Sequence, residues 1–146
     1  MLTRRFLFSW IFSSVLMWVI SYVWHGVFLN DIANLNYPKG IYLFSSAMVY
    51  LVIGVLLTRL FSMQFIIQTF QNFFIRGIVC GSLTGILLYM FALVLGVSFT
   101  KNLSLGNMVI DVPWQIFEQT FGGIVIATVY VLIYEPIPRN RSEDIV

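Results

Sequence analysis

Four long stretches of this chain are almost free of charge, and no other feature limits its fold as severely. They run at about 6–29, 41–60, 77–99 and 114–134. An α-helix needs roughly 20 mostly apolar residues to cross the ~30 Å hydrocarbon layer of a bilayer, and each stretch is long enough. Charged residues make up only 10% of the 146, against about 25% in soluble domains. A water-soluble fold could not cover itself with so few charges, and a disordered chain is excluded more firmly. The expected architecture is an all-α transmembrane four-helix bundle forming one integral membrane domain over 1–146.

The first run is too long for the apolar part of a signal peptide and has no small-residue cleavage pattern, so it reads as a retained helix. Asp31, Pro38, Lys39 and Gly40 mark the loop that follows. After Arg59 comes a segment at 61–75 with Gln64, Gln68, Gln71 and Asn72 on one helical face and Phe65, Phe70, Phe73 and Phe74 opposite. That pattern is amphipathic. It fits an interfacial helix, a continuation of the second span, or a plain hairpin tip. A second loop is expected at 100–112, and Pro113 suits the first position of the fourth helix.

Basic residues set the orientation. With the N-terminus cytoplasmic, the inner side carries Arg4, Arg5, Arg59, Arg76, Arg139 and Arg141, and the outer side only Lys39 and Lys101. Both termini are therefore expected on the cytoplasmic side of the membrane. Trp24, Tyr37, Tyr42 and Trp114 then form an outer aromatic belt, with Trp10, Tyr130 and Tyr134 on the inner side.

Gly77, Gly81 and Gly85 recur every four residues along one stripe of the third span, and Ala92 with Gly96 continues it. Small residues at this spacing let helix backbones approach closely in lipid. Gly122, Gly123 and Ala127 offer a similar patch on the fourth span, and Ser46, Tyr50 and Gly54 on the second. The stripe fits a contact between helices of this chain, or with another protein.

Ionisable residues inside spans cost about 2.5–3.5 kcal/mol each on insertion scales, so they invite a functional reading. His25 lies near the outer end of span one and Glu118 about one turn into span four. Ser14, Trp18, Ser21 and His25 share a helix face by their spacing, as do Gln115, Glu118 and Gly122. Gln119 flanks that second face, and Ser45 and Ser46 lie near the outer start of span two. These residues outline an outer-leaflet polar cluster able to hold a proton, a ligand, a lipid headgroup or a partner. The structural alternative makes Glu118 a first-turn carboxylate complementing the helix dipole and His25 an interfacial side chain.

Catalytic patterns are lacking: there is no Ser/His/Asp set, carboxylate pair, phosphate loop or zinc spacing. With one His and one Cys, no metal site is expected. Heme or a pigment ligated by His25 is a minor alternative to a chain without cofactor. Cys80, among glycines, reads as a small packing residue. A net charge of +2 with dispersed basic residues gives no case for nucleic acid.

The Trp24-His25-Gly26 end of span one, the glycine-rich span three, and Asp111-Val112-Pro113-Trp114 leading into Glu118 and Gly122-Gly123 resemble a small bacterial four-span membrane family of unknown function. The resemblance implies a four-helix inner-membrane protein and no transferable catalytic residue. Two roles follow as expectations. One is a non-enzymatic accessory or scaffold subunit of a larger membrane complex, or a homo-oligomer, docking through the glycine stripe and the amphipathic segment. The other is a small proton or solute transporter or channel working through His25 and Glu118.

Overall fold

A computed structural model of the chain describes residues 3–29, 38–99 and 105–133, without side-chain surroundings at 95–99 and 105–109. The expectations at Asp31, Tyr37, Lys101, Tyr134, Arg139, Arg141 and the surroundings of Gly96 lie outside the described residues. Every described element is helical: α1 (Arg4–Tyr22) continuing into a π-helical segment (Val23–Phe28), α2 (Lys39–Phe61), α3 (Gln64–Thr69), α4 (Phe73–Phe99) and α5 (Leu105–Leu132). Four of these helices are long and apolar enough to cross a membrane. The 23 residues of α2 alone rise about 34 Å.

Helix starts follow their local chemistry. Thr3 caps α1 by accepting from the Phe6 amide at 3.2 Å, as threonine does at an N-cap. Asn72 does the same for α4, its Oδ1 accepting from the Phe74 and Ile75 amides. α4 therefore begins at Phe73, one turn earlier than expected, and Asn72 is a cap and not part of an amphipathic face. α3 is a separate six-residue helix, set off from α2 at Ser62 and Met63, so the second span does not continue through this segment.

Pro113 is a larger correction. It lies inside α5, which begins at Leu105 and not at Pro113. Proline lacks the N–H that would bond the carbonyl four residues back, so the helix passes through it with one ladder bond missing. The expected loop at 100–112 is accordingly helical from Leu105 onward.

Around the bundle the order is α2, α1, α5, α4. α4 and α5 pack most extensively, α1 packs on both α5 and α2, and α2 touches α4 only thinly. Neighbours in this order are antiparallel. The glycine stripe explains the tightest pair: Gly77 lies on the Gly123 backbone, Gly81 on Gln119 and Thr120, and Gly85 on Gln115 and Ile116. A Cβ at Gly81 would sit 2.6 Å from the Thr120 Cα, so only glycine permits this approach. The stripe thus lies within the chain.

One end of the bundle is fastened by arginines. Arg5 donates from Nε to the Ile133 carbonyl, and the Arg59 guanidinium lies 5.1 Å from the Phe6 ring. Arg76 is buried, donates to the Phe70 carbonyl at 2.9 Å, and lies 5.1 Å from the rings of both Phe61 and Phe73. Ser62 and Tyr130 share a 2.7 Å hydroxyl contact at the same end.

Polarity in this fold is inverted relative to a soluble bundle. Ser9, Ser13, Ser14, Ser21, Thr58, Thr84, Glu118 and Gln119 are buried, while Phe8, Phe12, Phe44, Val52, Leu87 and Phe91 are exposed. The buried core combines Met17, Ile53, Leu57, Phe61, Cys80 and Ile126.

Candidate functional site

The polar centre of the molecule is a hydrogen-bonded chain linking three helices. The Ser21 hydroxyl of α1 donates to the Tyr50 phenol of α2, and Tyr50 in turn donates to the Glu118 carboxylate of α5. Gln119 completes it with its Nε2, 3.2 Å from Glu118 Oε1. Glu118 is 1% and Gln119 0% exposed. Unpaired polar groups in such surroundings are costly, so these bonds hold the site together.

Each member is set by helical register. On α1 the buried residues include Ser9, Ser13, Ser14, Met17 and Ser21, so Ser14 and Ser21 of the expected face are buried while Trp18 and His25 are half-buried. Trp18 donates from its indole to Ser46 Oγ at 3.0 Å, and Trp10 donates to the Leu51 carbonyl at 2.7 Å. Past Tyr22 the backbone adopts i→i+5 bonding, so the 3.6-residue repeat no longer carries the Ser21 face on to His25. His25 is half-buried within that π-helical segment.

Glu118 also departs from its simple reading. Since α5 starts at Leu105, the carboxylate lies about 20 Å along the helix axis from the N-terminus. Helix-dipole effects fade within the first turn, so a first-turn dipole role is ruled out. Tyr50 is a partner of Glu118 that the polar cluster read from the sequence did not include. The sequence does carry a trace of it, because a phenol in mid-span requires a hydrogen-bond partner when buried.

Beside this network lies a cleft of about 480 Å³. Its α2 wall follows one helix face through Ile41, Tyr42, Ser45, Val49, Tyr50 and Ile53. Leu88 and Ala92 of α4 form the other wall, and Gln115 of α5 completes the lining. The cleft exists because α2 and α4 touch so little. Ser45 is exposed and belongs to the cleft rather than to the buried network. Gln115 stands one turn before Glu118 on the same helix, so cleft and carboxylate are joined through Tyr50 and along α5.

At the far end of α1, Trp24 stacks on Trp114 with ring centroids 4.0 Å apart and planes inclined by 12°. Both indole N–H groups are buried without a partner. Spacing alone does not show that these two belt residues touch. The π-helical segment and the proline of α5 meet at this stack.

Among the described residues, no group of His, Cys, Asp and Glu side chains is arranged to hold a metal. No family model, curated protein sequence or solved structure matches the chain.

Proposed function

We propose that the chain is a multi-pass protein of the bacterial inner membrane, with both termini cytoplasmic, acting as a non-enzymatic carrier of a small membrane-dissolved ligand. The ligand enters the cleft between α2 and α4, and its polar group is held against Tyr50 and Glu118. The observation that carries this reading is Tyr50, which lines the cleft and hydrogen-bonds to the buried Glu118. A carboxylate amid apolar spans is expensive and marks a ligand or ion site by default.

The membrane setting draws support from the inverted polarity. Exposed Phe, Leu, Ile and Val side chains match lipid, and polar side chains are turned inward. The orientation rests on Arg5, Arg59 and Arg76 gathering at one end of the bundle and on the positive-inside rule. Bacterial origin enters with the resemblance to the small four-span family.

Native mass spectrometry of gently extracted protein tests the carrier role. The wild type is expected to hold a bound small mass that is lost when Ala92→Trp fills the cleft. A wild type free of any bound small molecule would overturn the carrier role.

A second role, as subunit of a larger complex or as a homo-oligomer, draws on α2. Phe44, Met48, Val52 and Leu56 form an exposed stripe at four-residue spacing on this thinly covered helix. The glycine stripe contributes nothing to it, being occupied by α5. Other chains in the same spectrum, lost on Val52→Ser, would favour the subunit role.

A further inference from the structure

We propose that the ligand of the α2–α4 cleft is a lipophilic organic cation, an amine-bearing molecule with an apolar body; this rests on the carrier role above. The cleft follows α2 from Ile41 to Ile53, about 18 Å of helix, so it suits an elongated ligand. Ile41, Val49, Ile53, Leu88 and Ala92 give it an aliphatic wall beside the rings of Tyr42 and Tyr50, with Ser45, Ser46 and Gln115 as its polar groups, which fits a hydrocarbon body with one polar end.

Charge complementarity selects the head. Among the described residues, no Lys, Arg, Asp or Glu lines the cleft. The groups that bond Glu118, Tyr50 and Gln119, are both neutral. The arginines Arg5, Arg59 and Arg76 hold the opposite end of the bundle. A ligand entering the cleft therefore meets one carboxylate behind Tyr50 and no basic side chain in the lining. A cationic head would supply the counter-charge that Tyr50 and Gln119 do not, while an anionic head would find no positive partner there. A protonated amine completes the site. It is attracted through a medium that screens poorly, and it meets the rings of Tyr42 and Tyr50, whose faces favour cations.

Three ligands that share one alkyl chain and differ in charge separate the terms. Binding of decylamine, decanol and decanoate to the full chain in lipid nanodiscs is measured by equilibrium dialysis, with protein-free discs correcting for partition. The expected order is decylamine over decanol by about tenfold or more, with decanoate weakest. Glu118→Gln should bring decylamine down to the decanol level, and an unchanged size-exclusion profile shows that the variant is folded. Ala92→Trp should weaken all three.

If wild type binds amine and alcohol equally, or if Glu118→Gln keeps the amine preference, the cation assignment fails. Decanol binding that Ala92→Trp abolishes would then leave the carrier role intact. Should Ala92→Trp change none of the three affinities, both the carrier role and the cation assignment fall.

Discussion

Gly77 and Gly123 meet backbone to backbone, so that a Cβ built on either runs into the other's carbonyl group. Their contact is one end of the seam that Gly81 and Gly85 continue along α5. Because backbone is on both sides, neither residue can yield by changing a rotamer.

Gly77→Val should therefore destabilise the protein by about 1–3 kcal/mol, the usual range for overpacking a tight contact. Gly40→Ala is the matched control, since nothing lies within 4 Å of a Cβ there. It should be neutral or slightly stabilising. Thermal unfolding in a mild detergent, followed by size-exclusion profile, checks both. Equal midpoints for wild type and Gly77→Val would contradict the seam.

The Tyr50–Glu118 bond joins α2 to α5, which otherwise touch only thinly. Interhelical hydrogen bonds in membrane proteins average about 0.6 kcal/mol and reach about 1.7. Tyr50→Phe is expected in that range, with the upper part favoured by the ionisable acceptor. A double-mutant cycle with Glu118→Leu isolates the bond. Strictly additive effects would show that the pair is not coupled.

Arg76 is held by a carbonyl and by two ring faces at once. Lysine retains the charge but cannot present a planar guanidinium to both rings. Arg76→Lys should loosen the corner formed by α3, costing about 1 kcal/mol. Hydrogen exchange at residues 62–72 reads the loosening locally, while protection in the middle of α5 should stay as in wild type.

The proposed orientation fixes which positions face the same compartment. With a membrane-impermeant maleimide, a single cysteine at Gly40 should label on intact cells, and those at Thr3 and Met63 only after the membrane is opened. Cys80 is buried and should stay silent. Labelling of Thr3 and Gly40 from one side would refute the proposed topology.

Length and apolarity made the four helices legible in the sequence, because lipid-sized runs leave few alternatives. The stripe of Gly77, Gly81 and Gly85 was legible as a packing face for the same reason, its spacing being a property of one helix. What escaped were features that residue spacing does not announce. Pro113 obeys its usual preference for a helix start only in isolation, and here α5 runs through it. The face of α1 was misjudged beyond Tyr22, since nothing local announces the i→i+5 segment. At the candidate site, Glu118, Gln119, Ser21 and Gln115 could be found as polar residues within spans. Tyr50 could not be identified as their link, because its position opposite Glu118 follows from how α2 leans on α5.

The placement of α1 has a bearing on biosynthesis. Ribosomal synthesis delivers α1 before α5, yet its Met17 face closes against Gly122 of that later helix. A lone helix lined with serines would be a poor guest in lipid if those hydroxyls stood idle. Ser13 and Ser14 both donate to the Trp10 carbonyl of their own helix, so these two need no neighbour to be satisfied, whereas the buried Ser9 hydroxyl has no partner among the described residues. α1 can thus enter the membrane and wait there until α5 arrives to close the ring.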